Sequence, residues 1–225
     1  MGKLLQGPNG PFIGKLGTGV GVMWKGINVI RSKPKRRTVP FSPGELAQHA
    51  RFGRMSQFLK GAMHLLNVTF QPLAVRMTGY NKAFSYNVKN ALIGEYPDYQ
   101  IDYSVVLLGR GDLPNAGSPV ATSLAPSSLD FSWADNSGKG KARGTDQAFI
   151  ASYYEENNEW KYELNVADRS AGHGSMVFDW QAGRTVHAYL GFISADEKEV
   201  SESFYAGTVQ LMPKISPEET KQPSL

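Results

Sequence analysis

The chain of 225 residues contains no cysteine, which excludes disulfide bonds, thiolate metal sites and a cysteine nucleophile. Its N-terminal apolar run is far too short for the core of a signal peptide, and no segment is long and apolar enough to span a membrane. We therefore expect a cytoplasmic protein, with delivery in an exported or phage-like particle as the open alternative.

Acidic residues are almost missing from the first 95 positions. Only Glu45 and Glu95 occur there, beside fourteen Lys and Arg side chains, which gives a net charge of +12. Residues 96–225 carry ten basic and eighteen acidic side chains, a net charge of −8. Such an asymmetry indicates two parts with different partners, one of which is a polyanion or an acidic protein surface.

Catalytic and cofactor motifs are missing as well. The four histidines, at positions 49, 64, 173 and 187, include no pair at the i, i+4 spacing of a helical zinc site. Residues 10–15 (GPFIGK) are one residue short of a phosphate loop and lack the Ser or Thr after the lysine. We therefore expect no enzymatic activity, no cofactor and no catalytic or structural metal.

The loop at residues 134–146 has some features of a calcium loop. It has side-chain oxygens at the first and third positions, Gly140 at the sixth and Asp146 at the twelfth, but Lys139 occupies a ligand position. A long loop between sandwich strands is the preferred interpretation, and calcium binding here is left open.

The N-terminal region is glycine-rich and strand-like. Residues 19–24 and 27–32 flank Lys25 and Gly26, a pattern that predicts a β-hairpin whose two-residue turn needs a positive φ. The further glycines indicate bulges or the close approach of another backbone.

Two helices are predicted next. Ser42 is the expected N-cap, Pro43 the first helical residue, and Glu45 completes a capping box. A second helix is predicted over residues 78–92 and ends before Gly94. One apolar face of the first helix recurs at spacings of three and four residues: Phe52, Met55, Leu59, Ala62 and Leu66.

From residue 99 onward short alternating segments replace the helical pattern. Seven such segments indicate an antiparallel β-sandwich. The predicted strands are 120–124, 128–133, 147–154, 160–166, 175–179, 185–194 and 201–212. The second of these, with Leu129, Phe131 and Trp133, resembles the second strand of an immunoglobulin-like or fibronectin type III-like module, and residues 185–193 resemble its long sixth strand.

The predicted fold is therefore mainly β with an α-helical insert. Residues 1–97 form a basic, glycine-rich hairpin with two helices. Residues 98–212 form an antiparallel sandwich of the immunoglobulin or fibronectin type, and residues 213–225 form a disordered tail rich in proline and charge.

Motifs along most of the chain also resemble a bacterial family, typical of Bacteroidota, that is described only as a domain of unknown function. The resemblance implies a fold and assigns no activity and no site residue. It rests on residues 14–15, 24–26, 30–34, 85–91, 135–138, 145–146, 185–189 and 192–194.

The basic segment is the main functional candidate. Cations on a hairpin end, an extended linker and the first helix can neutralise phosphates or bind an acidic protein surface, and charge alone selects neither. The predicted polyanion- or partner-binding residues are Arg31, Lys33, Lys35, Arg36, Arg37, Arg51 and Arg54.

The sequence thus predicts a non-enzymatic binding or assembly protein that acts through a protein partner or self-association. Binding of nucleic acid or another polyanion through the basic region is the first alternative. The second alternative is carbohydrate binding on the sandwich loops through exposed aromatic side chains such as Trp160 and Trp180.

Overall fold

The computed structural model describes residues 2–3, 12–178 and 183–213. The chain divides into two compact units, Met1–Leu46 and Ala47–Leu225. Residues 47–97 lie in the same unit as the sandwich strands, and the boundary expected between residues 97 and 98 stays a prediction. Residues 214–225 of the predicted tail lie outside the described residues.

The described residues form three α-helices and thirteen strands. The helices are α1 (Pro43–Leu59), α2 (Met63–Thr69) and α3 (Gly79–Asn90). The strands are β1 (Gly2–Lys3), β2 (Gly14–Leu16), β3 (Gly19–Trp24), β4 (Ile27–Ser32), β5 (Leu92–Ile93), β6 (Gln100–Ile101), β7 (Gly117–Thr122), β8 (Ser128–Ala134), β9 (Gln147–Tyr154), β10 (Glu159–Glu163), β11 (His173–Val177), β12 (Thr185–Ile193) and β13 (Phe204–Gln210).

The first unit contains a four-stranded antiparallel sheet in the order β1-β4-β3-β2, which we call the N-terminal sheet. The predicted hairpin turn is confirmed, because Lys25 and Gly26 both have positive φ, at 45° and 77°. The predicted close backbone approach is also confirmed at Gly21, where a Cβ atom would lie 2.2 Å from the carbonyl oxygen of Phe12.

Helix α1 begins with the predicted capping box. The Ser42 amide donates to Glu45 Oε2 at 2.9 Å, and the Glu45 amide donates to Ser42 Oγ at 3.4 Å. A 3₁₀ segment, Lys60–Ala62, joins α1 to α2. The predicted apolar face is correct except at Phe52, which is 43% exposed because its ring packs edge-on against Phe84 rather than in the core.

The second unit contains the predicted seven-stranded sandwich. One sheet has the order β11-β8-β7 and the other β10-β9-β12-β13, with every pair antiparallel. The fourth strand, β10, pairs with the third, whereas in a constant-type immunoglobulin domain it joins the opposite sheet. The last strand begins at Phe204 rather than at residue 201, and the Ser201 hydroxyl accepts the Phe192 amide proton at 2.8 Å.

Two apolar cores lie on opposite faces of the β10-β9-β12-β13 sheet. The core between the two sheets includes Leu129, Phe131, Trp133, Ile150, Leu190 and Phe192. The core between this sheet and the helices includes Met55, Phe58, Leu65, Phe149, Tyr153 and Tyr189. Strands β9 and β12 are therefore buried on both faces, and the second unit has three layers.

Candidate functional site

The N-terminal sheet contains no buried apolar side chain among its described residues. Large side chains are exposed instead: Leu16 is 68% exposed, Met23 52% and Trp24 50%. Because Met23 and Trp24 are neighbours in one strand, they point to opposite faces, and each face of the sheet exposes an apolar side chain. A sheet of this size normally needs a packed face to be stable.

Strand register defines one apolar face of this sheet. Trp24 pairs with Ile27, and Val22 pairs with Val29, so that all four side chains project to the same side. Val22, Trp24, Val29 and Arg31 line a shallow cavity of about 290 Å³ on that side. We call this side the Trp24 face.

The chain leaves the Trp24 face as an exposed, extended arm. Arg31 lies near the end of β4, and the Lys33 amide donates to the Thr18 carbonyl oxygen at 2.8 Å. Residues 31–41 are all exposed, and they contain Lys33, Lys35 and Arg36. We call residues 31–36 the cationic arm.

Arg37 has a different role from its neighbours. Its guanidinium binds both carboxylate oxygens of Glu45 at 2.8 Å and stacks over the Phe41 ring at 4.4 Å. It also donates to the carbonyl oxygens of Val39 at 2.7 Å and Pro40 at 3.0 Å. The Arg37 hydrogen bonds, with those from Ser42, lower the pKa of Glu45 to about 2. Arg37 therefore fastens the chain to the start of α1.

The two predicted cations on α1 are engaged within the second unit. Arg51 Nη2 donates to the Val88 carbonyl oxygen at 3.2 Å, and its guanidinium lies 5.9 Å from the centre of the Tyr99 ring. Arg54 is half-buried. Burial raises the pKa of Tyr153 above its usual value, and the nearby charge of Arg54 offsets part of this rise.

The seven predicted binding residues are thus divided between the units, and their binding role stays a prediction. The first unit holds Arg31, Lys33, Lys35, Arg36 and Arg37, and the second holds Arg51 and Arg54. Sequence reasoning missed Lys15, which pairs with Val20, the residue that also pairs with Arg31. Strand register is the signal that places Lys15 and Arg31 on one face.

A polar aromatic cluster surrounds His187 in the second unit. The His187 ring stacks on Tyr103 at 3.8 Å between centroids, and its Nδ1 lies 2.8 Å from the Tyr205 hydroxyl. Its Nε2 lies 4.0 Å from Glu155 Oε2. Burial lowers the pKa of His187, and the Glu155 charge raises it to a smaller extent.

We expect the protein to lose stability as the pH falls from about 6.5 through the lowered folded-state pKa of His187. The unfolded chain takes up the proton more readily than the folded chain, so protonation favours unfolding. A His187→Gln variant should show a flatter dependence of its urea midpoint on pH between about 7.5 and 5.5. An unchanged dependence in the variant would assign the effect to other groups.

The loop at residues 134–146 uses its carboxylates in protein contacts. Asp135 Oδ1 accepts the Ser137 amide proton at 2.9 Å. Asp146 Oδ2 accepts from Arg169 Nε at 3.0 Å and from the Arg143 amide at 2.8 Å. In the part of the chain that the structure describes, no group of three or more metal-binding side chains is placed to hold an ion.

The aromatic side chains proposed for carbohydrate binding do not form an exposed platform in the described residues. Trp160 is half-buried, its Nε1 donates to the Phe58 carbonyl oxygen at 2.6 Å, and its ring packs on Phe58 at 5.1 Å. Trp180 lies outside the described residues. The carbohydrate alternative therefore gains no support from Trp160.

A family model described as "Family of unknown function (DUF6266)" matches residues 11–207, which confirms the predicted resemblance to a family of unknown function. A comparison with curated proteins gives no match. No helix among the described residues is long and apolar enough to cross a membrane.

Two solved structures are similar to part of the chain. The fn3 domain of the human collagen alpha-1(XX) chain is 18% identical over 52% of this chain and 95% of that domain, with a TM-score of 0.35. The chicken CNTN1 FN1–FN3 domains are 10% identical over 47% of this chain and 36% of that chain, with a TM-score of 0.37.

Proposed function

We propose, for a chain that belongs to the DUF6266 family of unknown function, a non-enzymatic role in binding and assembly, in which the N-terminal sheet docks onto further copies of the same chain. The observation that carries this proposal is a four-stranded sheet without a buried apolar side chain among its described residues.

A sheet without a buried apolar face lacks the apolar burial that normally stabilises a β-sheet. Burial of apolar surface contributes roughly 25 cal/mol per Å², and three or more strands generally need an apolar face covered by another layer. Trp24, Met23 and Leu16 leave that surface in water. A partner that covers these side chains supplies the missing burial.

The small area of the N-terminal sheet favours a second copy of the chain rather than one large partner. Six-residue strands span about 20 Å, and four strands span about 19 Å, so one face offers at most roughly 400 Å². A contact between two such faces buries roughly 800 Å² in total, below the 1,200–2,000 Å² of standard stable interfaces. Two exposed faces per chain allow each copy to meet two neighbours, which gives an open, concentration-dependent assembly.

We expect a Trp24→Ser variant to lose this self-association, because it removes the largest exposed side chain of the Trp24 face. Sedimentation velocity over a concentration series should show a mass that rises with concentration for the parent chain and stays near that of one chain for the variant. Leu124→Ser is the matched control, since Leu124 is 73% exposed and lies outside this sheet.

Two results contradict the proposal in different ways. A parent chain that stays monomeric at the highest concentration excludes self-association. A parent chain that assembles equally well with Trp24→Ser places the contact elsewhere on the molecule.

A further inference from the structure

The first unit has a charge that its own chain does not balance. Residues 1–46 carry eight basic side chains and one acidic side chain, a net charge of +7, and Glu45 is the first acid in the sequence. Residues 47–225 have sixteen basic and nineteen acidic side chains, a net charge of only −3. The acidic excess of a second copy is therefore small and spread over a much larger unit.

The cations of this unit differ in whether they are already bound. Arg37 is held by Glu45, Phe41 and two carbonyl oxygens. By contrast, the side chains of Lys33, Lys35 and Arg36 have no ion pair or hydrogen bond with any residue that the structure describes. These three charges stand in water, so an anion can meet them without breaking an existing ion pair.

Strand register adds two further cations to this set. Lys15 and Arg31 flank Val20 on adjacent strands, so they lie on the Trp24 face at a separation of two strand spacings, about 10 Å. The arm continues directly from Arg31, and the Lys33–Thr18 backbone hydrogen bond fixes its exit from the sheet. At its far end, Arg37 anchors the arm to the capping box of α1.

We infer that Lys15, Arg31, Lys33, Lys35 and Arg36 form a binding site for the phosphate backbone of a nucleic acid, with Arg37 as the anchor of the arm and not as a phosphate ligand. Duplex DNA carries one negative charge per roughly 1.7 Å of its axis, so several phosphates can contact cations that are spread along a sheet edge and an extended arm. Exposed cations that contact phosphates release counterions, and binding then depends steeply on salt.

Phosphate binding by this site gives a steep salt dependence that can be measured with the chain of 225 residues. Four to five phosphate contacts give a slope of roughly −4 in log K against log[salt] for duplex DNA. Fluorescence anisotropy with labelled random-sequence duplex and single-stranded oligonucleotides should therefore show a loss of at least roughly 100-fold in affinity between about 50 and 200 mM salt.

Two exposed arginines, one in the cationic arm and one in the second unit, give the matched variants. Arg36→Ala should make the duplex slope shallower by roughly 0.9, since one phosphate contact is lost. Arg143→Ala removes the same charge from an exposed side chain of the second unit and should leave the slope within error of the parent chain. A control double variant, Lys60→Ala with Lys89→Ala, removes two exposed cations of the second unit. It matches the change in net charge of a second double variant, Lys35→Ala with Arg36→Ala.

Each remaining outcome overturns the inference. Absence of binding at about 50 mM salt excludes the site. Equal slope changes for Arg36→Ala and Arg143→Ala, or for the control pair, show that general charge and not this site binds the oligonucleotide. Displacement by poly-glutamate as effective as displacement by unlabelled DNA identifies an acidic polypeptide as the partner.

The Trp24→Ser variant should keep the salt slope, so the assembly proposal can fail separately.

Discussion

An Arg169→Met variant is expected to lose about 3–5 kcal/mol of unfolding free energy, because it leaves the Asp146 carboxylate buried without its partner. Both side chains are almost completely buried, and Arg169 Nε lies 3.0 Å from Asp146 Oδ2. Arg169 also donates to Asn136 Oδ1 at 2.8 Å and to the Pro114 carbonyl oxygen at 2.9 Å, and it stacks on Phe192. One substitution therefore removes the contacts that join three segments.

Urea denaturation at neutral pH measures this loss, and two variants frame it. Arg110→Met breaks an exposed pair with Glu202 at 3.7 Å and should cost no more than about 1 kcal/mol. Combining Arg169→Met with Asp146→Leu should recover part of the loss, since the unpaired buried charge is gone. A single Arg169→Met variant within about 1 kcal/mol of the parent chain would contradict the buried-pair argument.

A Phe58→Ala variant is expected to lose about 3–5 kcal/mol of unfolding free energy, because Phe58 joins the helical layer to the β10-β9-β12-β13 sheet. Phe58 is fully buried, and its ring centroid lies 4.8 Å from that of Tyr153 and 5.1 Å from that of Trp160. Truncation leaves a cavity between the two layers. The hydrogen bond from Trp160 to the Phe58 carbonyl oxygen still joins these layers, which limits how far they can close over the cavity.

The same helix supplies the control for this prediction. Phe52 is 43% exposed and has one edge-on ring contact, with Phe84 at 5.5 Å. Phe52→Ala should therefore cost only about 1 kcal/mol in the same denaturation measurement. Equal losses for the two variants would contradict the assignment of Phe58 to the core between helices and sheet.

The sequence predicted the sandwich well because its strands are separated by turns and carry β-forming residues. The depth of β9 was harder to predict. Its seven positions from Ala148 to Tyr154 are all buried, so the alternation typical of a half-exposed strand is absent. Burial on both faces arises from the helices, and sequence periodicity does not specify which sheet face a distant helix covers.

The basic segment shows a similar limit. Its charge is visible in composition, and the capping box of Ser42 and Glu45 follows from a three-residue spacing. The pairing of Arg37 with Glu45 is not visible in the same way, because the two residues are eight positions apart and the chain between them is irregular up to the start of α1. Propensity describes regular elements, while such a contact depends on how the linker folds back.

The helical cover on β9 and β12 also limits where this sandwich can gain new specificity. A free-standing module can change the solvent side of either sheet without loss of its core. Here Phe149, Tyr153 and Tyr189 already pack against helices, so a change on that side alters folding before it alters recognition. Variation in the sandwich is therefore channelled to its loops and to the outer side of the three-stranded sheet, where residues such as Ser132 and Ser175 are exposed.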